Sequence, residues 1–367
     1  MKNQFNSFKQ LYQDNKFDAL LREEGSVYWL KLRSISRKEL MVNFCQFADI
    51  DCIGMAGNTL FQHIYEKHPS EQLVDHFILE QYRLGRNVRK QNETKLVSEL
   101  YKLQALDWGG IYQNNLEKTI VDNYVKKIQD FDLLNKKIES EIHLSMRGYV
   151  QSSWYNHWTS ILIEDIFKDQ SKVVPTVGLI KKVDFFIDKV PFDLKVTYFP
   201  EGYMALKRKL SGLPPEIQVL KRFAKSEGIK FDTNQKNKVL FTELMTRFRE
   251  STSTNVKSFF EKFNIERWSL VEQSMSNSRE LIQWLYEEQG ERRFDAANRL
   301  FLVLIDKENL EDSWKMKRNT ELLSDKISDY VNKFSSINLQ GLNVKFDWID
   351  GKTYTATSDL IFVIKSR

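Results

Sequence analysis

The sequence predicts a mixed α/β protein, in which a central mixed β-sheet is flanked by helices and follows a mainly helical N-terminal region. Three observations predict this class. Apolar residues recur at three- and four-residue spacing through most of residues 1–150, as in helices that bury one face. Residues 177–199 are rich in valine, isoleucine, phenylalanine and tyrosine, as strands are. Residues 299–306 form an apolar run bounded by charges, which is typical of a buried strand.

The elements follow one another in a simple order. We assign 1–150 to the helical N-terminal region, and the helical spacing continues over 152–169. The strand-rich stretch comes next, followed by a lysine-rich helical insertion at about 202–298 and the buried strand at 299–306. Residues 311–334 return to helical spacing. The tail reads as two strands joined at Asp350-Gly351, a dipeptide that favours tight turns. Residues 151–367 therefore contain the sheet.

Composition sets limits on the function. The 367 residues carry 55 basic and 50 acidic side chains, a formal net charge of +5. This excess permits nucleic-acid binding without demonstrating it, because such binding depends on where the charge clusters. The two cysteines are too few for a disulfide framework. The first residues lack the apolar core of a signal peptide, and no stretch approaches the roughly 20 apolar residues that span a bilayer. We expect a cytoplasmic protein with no membrane partner.

The strand-rich stretch also carries charged residues that can converge. With a two-residue turn at Asp188-Lys189, the chain brings Asp184 opposite Asp193, and Lys195 emerges on the same face because strand side chains alternate. Two carboxylates this close repel each other unless a cation lies between them. Carboxylate oxygens are the ligands that hard divalent cations prefer.

The chemistry that this arrangement favours is metal-dependent hydrolysis. Asp184 and Asp193 are the candidate ligands of Mg²⁺, for which Mn²⁺ is a substitute, and the backbone carbonyl of Leu194 is a further candidate ligand. The triplet of an acid, any residue and lysine is a weak signal alone, since it also occurs at 14–16, 93–95 and 350–352. The simpler alternative is an exposed hairpin with an Asp–Lys pair.

The hairpin resembles the core of the PD-(D/E)xK nuclease superfamily, which includes most type II restriction endonucleases. In that family an acid on one strand, an acid-x-Lys on the next and often a glutamate on the preceding helix form the site. Asp184, Asp193 and Lys195 match this pattern residue by residue. The sequence departs from it at Val183, where proline is common. Pro191 lies inside the second strand, where its missing N–H implies an edge position or a strand start.

The helix before the hairpin offers two candidates for the fourth acid. The resemblance favours Glu164, which stands at about the usual distance before the first strand acid. A helical projection draws attention to Asp165 instead, because it falls within an apolar stripe where an acid needs a partner. We take Glu164 as the catalytic and metal-binding candidate and keep Asp165 as the alternative. For either residue the simpler alternative is an ordinary solvated or capped carboxylate.

Basic clusters around the predicted sheet suit contacts with DNA phosphates. For each, the simpler alternative is a solvated lysine face. The candidate contacts are Lys207, Lys209, Lys221, Arg222, Lys315, Lys317 and Arg318.

The resemblance implies a restriction-endonuclease-like core and a metal-dependent endodeoxyribonuclease that cuts double-stranded DNA at a specific sequence. It also implies a homodimer, with residues 1–150 used for DNA recognition or dimerisation, and a DNA methyltransferase encoded nearby. One alternative is another nuclease of the same superfamily: a phage-defence effector, a repair nuclease or a junction resolvase. The other is a non-catalytic DNA-binding protein whose acids merely pair with lysines.

Overall fold

The computed structural model describes residues 2–106, 120–178, 180–288, 296–335, 339 and 341–366. In these residues the chain forms a six-stranded mixed β-sheet flanked by helices, and helices make up most of the secondary structure. The predicted mixed α/β class is therefore confirmed. None of the described helices is both long and apolar enough to cross a membrane.

The N-terminal region is helical, as predicted, over its described residues. Its first six helices are α1 Lys2–Gln13, α2 Phe17–Leu20, α3 Ser26–Ser34, α4 Lys38–Phe47, α5 Gly57–Lys67 and α6 Glu71–Leu100. The long helix α6 begins after Ser70, whose hydroxyl accepts a hydrogen bond from the N–H of Leu73 at 3.3 Å. The core of these helices surrounds the buried Trp29 and also includes Val183 and Phe186. The N-terminal helices thus share a core with the hairpin region.

Two further helices lead from the N-terminal region to the sheet. They are α7 Phe131–Lys137 and α8 His143–Lys168, and π-helical turns occupy Val121–Val125 and Ile138–Ile142. Ile163 and Phe167 of α8 are fully buried against one face of the sheet. The ring of Phe167 stacks on that of Phe185 with ring centres 4.9 Å apart, so α8 lies directly beside the predicted hairpin.

The sheet is made of six strands that pair in the order β1-β2-β3-β4-β6-β5. Pairing is antiparallel from β1 to β3 and between β5 and β6, and parallel from β3 through β4 to β6. The predicted strand at 299–306 and the C-terminal hairpin are confirmed, whereas strand structure within 177–199 begins only at Phe185. The strands are β1 Val173–Pro175, β2 Phe185–Ile187, β3 Val190–Tyr198, β4 Arg299–Asp306, β5 Asn343–Asp347 and β6 Thr353–Lys365.

The connection from β3 to β4 is long because parallel neighbours need a crossover. Its described helices are α9 Glu201–Leu210, α10 Glu216–Ser226, α11 Asn237–Glu250, α12 Thr254–Ser276 and α13 Ser278–Glu288. Leu220, Leu240 and Phe248 belong to a separate small core within this insertion. After β4, a 3₁₀-helix, Leu310–Arg318, and α14, Thr320–Lys333, return the chain to the sheet.

Both faces of β4 are covered. Leu300, Leu302 and Leu304 pack in the core formed with α8 and α14, whereas Phe301 and Val303 face the helices of the insertion. A strand buried on both faces reads as a continuous apolar run, which is why its bounds could be predicted from the sequence.

Candidate active site at the β2–β3 hairpin

The hairpin has the predicted two-residue turn. Asp188 and Lys189 both have positive φ, 45° and 70°, as the central residues of a type I′ turn require. This turn sets the register of the two strands. The observed pairs are Ile187–Val190, Phe186–Pro191 and Phe185–Phe192, so the predicted register is confirmed over β2.

Pro191 is the second residue of β3. The parallel ladder with β4 begins two residues later, at the pair Asp193–Arg299. No strand N–H is needed at position 191, because β4 does not reach it. The strand-start explanation for this proline is therefore the correct one.

Asp184 lies one residue before β2, beyond the last pair of the hairpin. Its N–H donates to the carbonyl of Phe192 at 2.8 Å, and its carboxylate Oδ2 accepts from the N–H of Leu194 at 2.8 Å. The predicted direct pairing with Asp193 is not part of the ladder, which ends at the Phe185–Phe192 pair; on its other side, the N–H of Asp193 donates to the carbonyl of Asn298 at 2.9 Å. Asp184 is nonetheless tied to β3 through its side chain.

The surroundings of Asp184 are unfavourable to a negative charge. Burial is the largest cause that raises the pKa of Asp184, and together with the negative charges of Glu164 and Asp193 it brings this pKa to about 6. The Leu194 N–H and the ammonium of Lys168 act in the opposite direction. The carboxylate of Asp184 is therefore repelled by the carboxylates of Glu164 and Asp193, and a bound cation would relieve this repulsion.

Asp193 is buried, with 5% of its surface exposed, and it lies between two cations. The Nζ of Lys195 is 2.6 Å from Oδ1 of Asp193, and the Nε of Arg299 is 4.0 Å from Oδ2. Oδ2 has no hydrogen-bond partner among the described residues. Lys195 shares a face with Asp193, as strand alternation predicts, and 43% of its side chain is exposed. The side chain of Leu194 points into the core, also as predicted.

Arg299 is the residue that sequence reasoning missed. It begins the predicted strand at 299–306, but nothing local indicates which part of β3 that strand pairs with. The only available signal was a basic residue at the start of a buried strand.

Glu164 and Asp165 have different surroundings. Glu164 is half-buried and forms an ion pair with Lys168, one turn later, at 2.7 Å. It also lines a cleft of about 290 Å³ between α6 and α8. Thr176 lines the same cleft, and its hydroxyl donates to the Asp184 carbonyl at 2.9 Å. The cleft therefore opens beside Asp184.

Asp165 instead joins α8 to α6. Its carboxylate accepts two hydrogen bonds from Arg89, at 2.7 and 2.8 Å, and lies 3.6 Å from Arg86. The hydroxyl of Tyr82 donates to it at 3.2 Å. These partners explain why an acid can occupy an apolar stripe. Glu164 is therefore among the charges that raise the pKa of Asp184, while Asp165 is bonded to Arg89 and Tyr82 of α6.

Two of the predicted DNA contacts require correction. Lys317 is buried, and its ammonium donates to Asn156 at 2.8 Å, while burial lowers its pKa to about 8. Arg318 is also buried and donates to the carbonyls of Leu100 and Leu103 at 2.7 and 2.8 Å. Contrary to the prediction, neither side chain presents its charge to a DNA surface, because each is held by partners inside the protein.

The remaining basic candidates lie nearer the surface. Lys207 is bonded to Glu280 at 3.0 Å, Lys221 to Asn237 at 2.9 Å and Lys315 to Asp312 at 2.9 Å. Lys209 and Arg222 are exposed. Of the seven predicted contacts, these two present the most accessible charge.

The residues at the hairpin suit a hard divalent cation by their donor chemistry. Asp184, Asp193 and Glu164 offer carboxylate oxygens, and Oδ2 of Asp193 is a buried acceptor without a hydrogen bond. As they stand, however, no three acid, histidine or cysteine side chains of the described residues are grouped closely enough to hold a metal ion. Lys195 forms an ion pair with Asp193, and Lys168 forms one with Glu164, so metal binding would require both lysine side chains to move aside.

Comparison with known proteins adds no relative to this description. No protein-family model, no curated protein and no solved structure matches the chain. The class defined by fold and site therefore rests on geometry: a mixed α/β protein with carboxylates and basic side chains gathered at a β-hairpin beside a cleft.

Proposed function

We propose that this chain is a metal-dependent endodeoxyribonuclease of the PD-(D/E)xK type, similar to type II restriction endonucleases. It would hydrolyse phosphodiester bonds of double-stranded DNA at a specific sequence, with Mg²⁺ or Mn²⁺. The observation that carries the proposal is the placement of two acids and an amine on the hairpin: Oδ2 of Asp184 accepts from the Leu194 N–H at 2.8 Å, and the Nζ of Lys195 lies 2.6 Å from Oδ1 of Asp193. Neighbouring carboxylates repel one another, and a hard divalent cation held between their oxygens would relieve that repulsion.

Each residue has a definite role in this proposal. Asp184 and Asp193 would hold the cation, with Glu164 and the carbonyl of Leu194 as further ligands. When bound, the metal would supply Lewis-acid chemistry: it would polarise the phosphate and lower the pKa of the attacking water, so that this water gives up its proton more readily. Lys195 would leave Asp193 and direct its ammonium to the attacking water and to the charge that develops on the phosphate. Its partly exposed side chain has room for this movement.

The fold supports the same class. A helix carrying Glu164 precedes an antiparallel hairpin, with Asp184 one residue before its first strand and the acid-x-Lys triplet on its second, within a mixed sheet flanked by helices. Lys209 and Arg222 are the preferred phosphate contacts outside the site, since both are exposed.

The biological setting remains part of the proposal. Cutting both strands favours a homodimer, with the N-terminal region serving recognition or dimerisation. A cytoplasmic location and a cognate DNA methyltransferase gene nearby complete the expectation for a restriction system.

Incubation of the purified chain with a sequenced plasmid and Mg²⁺ or Mn²⁺ tests the activity. We expect discrete fragments from the wild type and none from Asp193→Asn. Asp329→Asn, which removes an exposed carboxylate from α14, is the matched control and should cut like the wild type. Intact DNA with all three proteins would refute the proposal. A smear or a preference for branched DNA would indicate one of the other nucleases of the superfamily.

One observation favours a second candidate, the non-catalytic DNA-binding protein. Asp193 already has a close cationic partner in Lys195, as a purely structural acid would. Titration calorimetry separates the two candidates, because a metal site should bind Mn²⁺ and lose that binding in Asp184→Asn. DNA binding without any Mn²⁺ binding would support the non-catalytic candidate.

A further inference from the structure

We infer that Arg299 is a second phosphate-binding cation of this site, held beside Asp193 until metal and DNA arrive. This inference rests on the proposed function and adds to it a residue on a different strand. It assigns to β4 a part of the site that the hairpin motif does not contain.

The sheet register places Arg299 beside the hairpin acids. Asp193 pairs with Arg299 across the parallel β3–β4 ladder, and Lys195 pairs with Phe301. Residues paired across neighbouring strands direct their side chains to the same face of a sheet. Arg299 therefore shares the face of Asp193 and Lys195, and its Nε lies 4.0 Å from Oδ2 of Asp193.

The guanidinium of Arg299 is held in place by an aromatic ring. It lies over the ring of Tyr286, 4.7 Å from the ring centre, within cation–π range. Tyr286 is itself fixed, because its hydroxyl donates to the carbonyl of Ala297 at 2.9 Å. Only 13% of the Arg299 side chain is exposed. A planar guanidinium in a fixed position is the group best suited to bind a phosphate through two parallel hydrogen bonds.

The charge balance explains why Arg299 would change partners. Without metal, Asp193 faces two cations, Lys195 and Arg299. A divalent cation on Asp193 would repel both side chains, while the phosphate of DNA would attract them. The same arginine would thus weaken metal binding and stabilise the bound phosphate. A merely structural arginine, which only holds Asp193 in position, would support metal binding instead.

This difference in sign supplies the test. We compare Arg299→Gln and Arg299→Lys with Lys345→Gln, a control that removes an exposed positive charge from β5. Thermal unfolding first establishes that each variant is folded. Calorimetry with Mn²⁺ alone then measures metal affinity, and plasmid cleavage measures kcat and KM.

Arg299→Gln should bind Mn²⁺ about tenfold more tightly, because a neighbouring positive charge is gone. Its kcat should fall about a hundredfold, as for the loss of one charge-stabilising donor. Arg299→Lys should keep wild-type Mn²⁺ affinity and recover part of kcat, and Lys345→Gln should match the wild type.

Unchanged or weaker Mn²⁺ binding by a folded Arg299→Gln would overturn the inference while leaving the proposed function intact. Wild-type protein that neither binds Mn²⁺ nor cleaves DNA would overturn both.

Discussion

Replacing Asp184 with asparagine should make the metal-free protein more stable at neutral pH. The burial and the neighbouring carboxylates that raise the pKa of Asp184 from 3.8 to about 6 penalise its charged form. Since one pKa unit corresponds to about 1.4 kcal/mol, the penalty at pH 7 amounts to at most about 3 kcal/mol. Asparagine is uncharged, and its amide oxygen can still accept the hydrogen bond from the Leu194 N–H.

The stability difference between Asp184→Asn and the wild type should depend on pH in a defined direction. Below about pH 4 the carboxyl of Asp184 is protonated in both the folded and the unfolded chain, so it contributes no penalty. Between about pH 4 and pH 6 the unfolded chain loses this proton first, and folding becomes less favourable as pH rises. The stability gain of Asp184→Asn should therefore grow across this window and be level above it.

Urea unfolding in EDTA, from pH 4 to pH 8, measures this difference directly. Asp329→Asn, an exposed carboxylate, should show no comparable trend. Addition of Mg²⁺ should reverse the order at pH 8, because only the wild type gains stability from bound metal. A variant that is less stable than the wild type at pH 8, or a difference that does not vary with pH, would refute the reasoning about Asp184.

Four further substitutions test the interpretations given above. Asp165→Ala should lower the free energy of unfolding, measured in urea, by about 3–5 kcal/mol, because two arginines lose a buried carboxylate. Glu164→Gln should change the free energy of unfolding by less than about 1 kcal/mol. It should also abolish the stabilisation by Mg²⁺. Equal losses from both would show that the two acids were assigned wrongly. Arg318→Met should lower the free energy of unfolding by about 2–4 kcal/mol, since two buried carbonyls lose their donor. In a gel-shift assay, the folded fraction of this variant should bind DNA with wild-type affinity. Lys189→Gly should raise stability in thermal unfolding by up to about 1 kcal/mol, because glycine adopts a φ of 70° without strain; a lower melting temperature would contradict that explanation.

Local information accounts for the hairpin. The apolar and β-branched residues predicted strands, and a two-residue turn at 188–189 can pair the flanking residues in only one way. Alternation along the strand then places Asp193 and Lys195 on one face, as observed. The bounds of β4 were equally accessible, because both of its faces are buried and its apolar run is continuous.

The limits of sequence reasoning appear where distant segments meet. Glu164 and Asp165 are adjacent on α8, so the sequence alone does not distinguish their partners. Asp165 pairs with the arginines of α6 only because α6 packs against α8. Lys317 and Arg318 have the composition of a DNA-binding surface, but the fold buries them against Asn156 and the end of α6. The charge of a residue does not by itself show whether its side chain is exposed, because exposure depends on the neighbours that the fold supplies.

By itself, the sequence determined the mixed α/β class, the two-residue turn with the register of the hairpin over β2, and the shared face of Asp193 and Lys195. It could do so because turn geometry and side-chain alternation act over a few residues. Only the tertiary structure decided that Arg299 lies beside Asp193 and that burial, together with two neighbouring carboxylates, raises the pKa of Asp184. Both depend on pairing and burial between segments far apart in the chain, and no local pattern encodes that register.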